Sequence, residues 1–182
     1  MLYHNKYQNP FKMRNLNNLT DLLVDELQEL HSAERYLEKH LPETILKASN
    51  ADLKKALTNY HVQTSLRIER LEETFKSFNQ PVINGKCEVV ESLIAKAGRL
   101  QKRSGESHVA DAAEILAIQG INHYMIASYG ALVAYANATN HQSVAESLQS
   151  SLSEQRAIDR QLTLLAVQKI NNEAKEKLLV TA

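Results

Sequence analysis

Glu34 stands in the middle of an apolar stripe, Leu19, Leu23, Leu27, Leu30, Leu37 and Leu41, whose steps of three and four residues put it on the inward face of a helix. Carboxylates gathered from several helices are what hold iron or manganese inside a helical bundle. Along the later helical stretches, the matching inward positions carry neutral groups instead. Gln63 lies beside Tyr60 and Thr64, Gln119 and Asn122 lie beside His123, and Gln155 falls between Leu152 and Ile158. Two dications in a low-dielectric interior need roughly four carboxylates to coordinate them and cancel their charge. An amide keeps a carboxylate's shape but offers one uncharged acceptor oxygen. Met125 offers only a thioether, suited to soft metals such as Cu(I), and the chain contains no Glu-x-x-His.

Long helices must position these groups. The chain of 182 residues, with five Gly and three Pro, reads as one all-α domain large enough to bury a core. Lys+Arg and Asp+Glu each number 21, so no net field draws the protein to nucleic acid or an anionic membrane. One cysteine, Cys87, excludes an internal disulfide framework and suits the cytoplasm. The stretch 1–18 is polar and reads as a flexible arm without the apolar run of a signal peptide, with Met1 or Met13 as the start.

The periodicity predicts a first helix from Leu19 to Ala48, capped by Asn18 or Thr20 and kinked or loosened at Pro42, and a second from the Ser49–Asp52 break to Phe78. A shorter amphipathic helix runs from Cys87 to Lys102. The third long helix, Ser107 to Ala138, contains Gly120 and Gly130, expected to permit close backbone approach, and Asn140 opens the fourth. Two hairpins joined by a long connection with its own helix fit a ferritin-like four-helix bundle with one crossover. The bundle is expected over 19–170, with 171–182 as an extension that frays or meets a second subunit.

Short motifs in order along the chain resemble the YciF/YciE-type ferritin-like stress proteins of bacteria. They are Glu26-Leu27-Gln28-Glu29-Leu30-His31-Ser32-Ala33-Glu34, Gln63-Thr64 with Arg67-Ile68-Glu69-Arg70-Leu71, Lys86-Cys87-Glu88 with Glu91, Leu93 and Ile94, His123-Tyr124 with Ile126-Ala127-Ser128-Tyr129-Gly130, and Leu152-Ser153-Glu154-Gln155 with Asp159. The resemblance implies a homodimer tied to stress. Against the family's pattern, Glu-Thr reads Gln63-Thr64, Glu-His-Tyr-Glu reads Asn122-His123-Tyr124-Met125, and an acidic position reads Gln155.

The resemblance therefore implies a vestigial metal site at Glu34, Gln63, Asn122, Met125, Gln155 and Asp159, with no metal, cofactor or catalytic residue. In this reading Glu34 pairs with Arg67 or another cation, and the amides form a buried polar layer that fixes helix register, leaving a non-enzymatic protein. One alternative is a reduced iron or manganese site built from His31, Glu34, His123, Glu154 and Asp159, with oxidoreductase-type activity. A second is a protein-interaction module using the crossover helix. His123 is expected as a hydrogen-bonded core or interface histidine, Cys87 as a small buried hydrophobe, and Tyr60, Tyr124 and Tyr129 as packing residues whose hydroxyls reach the polar layer. His31 and His61 flank the first stripes, leaving their rotation open.

Overall fold

A computed structural model describes residues 15–176. Four long helices form the bundle: α1 (Leu19–Lys47), α2 (Ala51–Ser77), α4 (Ser107–Ala138) and α5 (Gln142–Leu165). Helix α3 (Glu88–Arg103) lies in the crossover, and a π-helical turn (Ala166–Ile170) carries the chain from α5 into α6 (Asn171–Glu176). No described residue is in a strand. Helix α1 packs on α2 and α4, and α5 packs on α4 and α2, closing a four-membered ring.

Hairpins make α1–α2 and α4–α5 antiparallel, and polar contacts set the other two pairings. Asp111, near the start of α4, accepts hydrogen bonds from Ser49 and Asn50 between α1 and α2. Lys169, beyond the end of α5, meets Asp52 at the start of α2 at 2.6 Å. Every adjacent pair in the ring is thus antiparallel, and the crossover must return along the bundle. Helix α3 makes that return packed on α4 and α1. A crossover helix covering its own bundle weakens the case for an interaction module.

The helix ends follow local chemistry. Asn18 caps α1 by accepting from the Asp21 N–H, and Asn50 caps α2 by accepting from Asp52 and Leu53. Helix α1 continues unbroken through Pro42, which lies on the exposed side where water reaches the carbonyl that loses its helical partner. Asn171–Glu176 is docked: α6 packs on α4, and Glu173 approaches Asn50 and His108.

Two expectations need correction. Asn140 closes α4 rather than opening the next helix. Its φ of 59° is left-handed, and the bonds from Asn140 N to Asn137 O and from His141 N to Ala136 O make a Schellman ending. Asn79, with φ of 51°, ends α2 the same way. The glycines of α4 do not mediate close backbone approach. A Cβ at Gly120 would meet Leu93 Cδ2 at 3.7 Å, and one at Gly130 would meet nothing within 4 Å, because this side of α4 faces side-chain tips or open space.

Asparagine tolerates the left-handed region better than other non-glycine residues. Asn140→Ala should therefore lower unfolding free energy by about 1 kcal/mol, whereas Asn140→Gly should not lower it. Urea titration of the two variants checks this, and equal stabilities would contradict it.

Candidate functional site: a buried ion pair in an amide layer

The interior of the ring is polar at one level, and each long helix contributes. Glu34 of α1 and Arg67 of α2 are both 0% exposed. Arg67 Nε donates to Glu34 Oε1 at 2.7 Å and Nη2 to Oε2 at 3.3 Å, a side-on fork. Glu34 Oε1 also accepts from the Tyr129 hydroxyl of α4 at 2.9 Å and from Gln155 Nε2 of α5 at 3.2 Å. Arg67 Nη2 donates to Thr64 Oγ1 at 2.8 Å, and its guanidinium carbon lies 5.2 Å from the centre of the Tyr60 ring. Tyr60 donates to Gln155 Oε1, and Asn122 donates to the Gln155 carbonyl.

The electrostatics are those of a mutually paired carboxylate and guanidinium, with Arg67 Nη1 left without a hydrogen bond. Burial opposes the charge on Arg67, but the adjoining Glu34 outweighs it and holds the guanidinium pKa above its ordinary value. Burial, reinforced by the charge of Glu34, raises both Tyr60 and Tyr129, so their hydroxyls remain donors. Outward from Arg67 the network continues to the rim. Glu154 Oε2 lies 3.7 Å from Arg67 Nη1, while Arg70 binds Glu154 at 2.6 Å and Ser151 at 2.8 Å.

The residues expected at a vestigial site divide. Glu34, Asn122, Met125 and Gln155 are fully buried. Gln63 is only half-buried, and Asp159, also half-buried, pairs with His123 at 3.1 Å. Gln119 likewise sits at the bundle's edge, bonded to Thr163 and Asp159, rather than in the buried layer. The α2 position in that layer belongs to Arg67 and Thr64 instead. His123 is 68% exposed and so is not a core histidine.

His31 is buried against Phe75, with Nε2 3.4 Å from Glu72. Cys87 is buried with its sulfur 3.6 Å from the Tyr124 hydroxyl, and burial pushes the thiol up to about 11. That phenol therefore reaches Cys87 rather than the polar layer. Reading the sequence missed Arg70 and Ser151. Their signal was spacing: Arg67 and Arg70 are three apart on α2, as are Ser151 and Glu154 on α5.

This donor set does not fit a metal pair. The buried carboxylate is committed to a guanidinium, and the buried oxygens left without a hydrogen bond are the neutral Asn122 Oδ1 and, at the rim, Glu154 Oε2, which faces the Arg67 cation at 3.7 Å. The fixed Arg67 guanidinium repels a dication, and a single neutral amide oxygen does little to offset that repulsion. Among the described residues, no three His, Cys, Asp or Glu side chains converge to hold an ion. The residual ligand set is likewise dispersed: Glu34 faces Arg67, Glu154 faces Arg70, His123 and Asp159 lie at the outer side, and His31 faces Glu72.

A family model described as a domain of unknown function, DUF892, matches residues 18–175. The chain belongs to the DUF892 family. It is 32% identical over 164 residues to Protein YciF of Escherichia coli (strain K12), covering 90% of this chain and 99% of that protein. The crystal structure of the E. coli stress protein YciF superposes with a TM-score of 0.81 at 32% identity, covering 86% of this chain and 99% of that one. YcfI from Rhodopseudomonas palustris superposes with a TM-score of 0.80 at 33% identity, covering 84% and 98%. The all-helical fold of this chain thus matches that of the E. coli YciF structure.

Two predictions follow from the geometry. Arg67→Met leaves Glu34 buried without its cation and should cost about 3–5 kcal/mol, and adding Glu34→Leu should recover most of that loss in urea unfolding. A double variant as unstable as the single would show that the pair's mutual satisfaction is not what matters. His31 supplies a pH dependence: burial lowers its pKa, against the pull of Glu72. The unfolded chain then binds more protons than the folded one below an unfolded pKa of about 6.5. Stability contributed by neutral His31 is complete above that value and is lost as pH falls through it. Between pH 7.5 and 5.5 the native chain should lose more stability than His31→Met, and parallel profiles would refute the assignment.

Proposed function

We propose that this chain is a non-enzymatic, ferritin-like member of its stress-protein family, in which Arg67 and the amide layer occupy the place that carboxylate bundles give to a metal pair. The observation that carries this reading is the wholly buried Glu34–Arg67 contact at 2.7 Å. A guanidinium there already supplies the positive charge that a lone interior carboxylate requires. A second cation would have to displace it or overcome its repulsion. Function then lies in the protein's surface or in its assembly, as expected where the interior is built for stability rather than exchange.

The partner in this reading is a second copy. Gln119 of α4 bonds Thr163 of α5, so one turn further toward the same end of the antiparallel pair lie Leu116 and Val167, exposed at 58% and 63%. Apolar exposure on that side supports a covered face. The location in this reading is the cytoplasm, supported by the single buried thiol of Cys87. No described helix is long and apolar enough to cross a membrane.

Metal analysis of protein purified without chelator, followed by anaerobic Fe(II) and Mn(II) titration, tests the proposal. The unmodified chain should carry no stoichiometric iron or manganese, and its Tm should not move with either ion. An Arg67→Met, Asn122→Glu, Gln155→Glu variant should gain metal-dependent thermal stabilisation. Stoichiometric uptake by the unmodified chain, with a rise in Tm, would overturn the reading.

A further inference from the structure

The chain's net charge is zero, but its crossover helix is sharply divided in sign. Helix α3 opens with Glu88 and Glu91, while its second half carries Lys96, Arg99, Lys102 and Arg103 with no acid among them. Surface charges elsewhere are answered locally, as in Arg35–Glu38, Lys47–Glu43 and Lys169–Asp52. None of the α3 charges forms an ion pair among the described residues. Nor can they pair along the helix. Side chains three or four residues apart are neighbours, and within α3 every charged pair at that spacing is like-charged: Glu88 with Glu91, Lys96 with Arg99, and Arg99 with Lys102 and Arg103. The helix dipole favours acids in the first turn and bases in the last, but Lys96 and Arg99 lie before the last turn.

These charges share one face. Helix α3 uses its apolar side, with the buried Val90, on its own bundle. On the opposite side Glu88, Ser92, Ala95, Lys96 and Arg99 are all exposed and lie within about 60° of Ser92 around the helix axis. Val89, 44% exposed, adds apolar surface beside them. Ser92 and Ala95, at the middle of the face, are small enough to let a second helix approach closely. Laid antiparallel on itself, with a two-fold axis between Ser92 and Ala95, this face sets Glu88 against Arg99 of the partner subunit and Glu91 against Lys96 of the partner subunit, and symmetry repeats both pairs. A parallel placement would set like charge against like. Glu29 of α1 lies against Cys87, where α3 begins, and extends the acidic half past the start of the helix, on the side where the partner's last turn overhangs.

We propose that the outward face of α3 docks on α3 of a second copy of this chain, antiparallel about a two-fold axis, with the acidic half of each helix on the basic half of the other. Exposed ion pairs contribute little singly, and one face of a 16-residue helix buries less than a standard interface. The contact is therefore weak, reversible and sensitive to salt. It is separate from the Leu116 and Val167 face, which lies on the α4–α5 side, so a chain using both contacts assembles beyond a dimer. It does not depend on what the Glu34–Arg67 layer does.

Sedimentation velocity of the full chain carrying Leu116→Glu, which disables the other face, reads this contact alone. Self-association should be seen at low salt and weaken about tenfold or more between about 25 and 300 mM NaCl. Lys96→Glu with Arg99→Glu should abolish it, and so should Glu88→Lys with Glu91→Lys. Mixing those two double variants should restore association, now between unlike chains. Lys54→Glu with Lys55→Glu, an equal change of charge at exposed positions of α2, should leave it unaltered. Circular dichroism confirms that every variant keeps its helical content. A chain that stays monomeric at low salt, association indifferent to salt, no restoration on mixing, or an equal loss in the α2 variant would each overturn the proposal. So would retention of duplex DNA through Lys96 and Arg99 without self-association, which would assign the basic half to a polyanion.

Discussion

Taking a carboxylate and a guanidinium out of water costs several kcal/mol per ion, and only good geometry with every remaining donor and acceptor occupied offsets it. The Glu34–Arg67 pair meets most of that condition through the helices around it, with Arg67 Nη1 alone of the guanidinium nitrogens left without a hydrogen bond, 3.7 Å from Glu154. Glu34 Oε1 receives three donors, from α2, α4 and α5. Arg67 is held in turn by Thr64 and lies by the Tyr60 ring, and the amide of Gln155 joins Tyr60 to the carboxylate, which Tyr129 bonds directly. No one of the four long helices can slip by a turn without stranding a buried charge or hydrogen-bonding group. The pair therefore acts as a register pin, and the leucine-rich layers above and below it, which would tolerate several alignments, inherit their alignment from it.

A second polar fixture orients the bundle's far end. The Asp111 carboxylate, itself buried, takes the Ser49 and Asn50 N–H groups and the Ser49 hydroxyl. These are orphan donors of the tight turn between α1 and α2, which would otherwise lie against α4 unsatisfied. Together with Lys169–Asp52 and the docking of α6, it brings the start of α4 and the end of α5 to one end of the molecule. The crossover then has no freedom about where to finish. Helix α3, which only completes the return, is attached by half-buried leucine and isoleucine side chains and one buried valine. Stability is thus unevenly spread, high around the pinned ring and low at the crossover.

Much of this was legible in the chain. Steps of three and four among leucines gave the long helices to within a residue or two, and the Asn18 and Asn50 caps behaved as their side chains require. The inward aim of Glu34, Asn122 and Gln155 followed from the same periodicity, since a residue centred in an apolar stripe has nowhere else to point. Periodicity fails at the stripe's edges, where a few tens of degrees of helix rotation decide burial. Gln63, Gln119 and His123 were on the wrong side of that margin, and His31 fell inside it. Asn140 was misassigned for a different reason: asparagine serves both as an N-cap and as a left-handed terminator, and only its φ distinguishes them.

The sequence by itself determined the helices, the hairpin pairing, the family and the shortage of interior carboxylates, because composition and short-range spacing act within a few turns of one segment. Which cation answers Glu34, how far the network runs to Arg70 and Ser151, and the Asp111 clamp were settled only by the tertiary structure. Each depends on groups tens of residues apart meeting within about 3 Å, and that distance is set by the rotation and register of helices packed against one another. Local pattern constrains those two quantities only loosely; the packed ring fixes both.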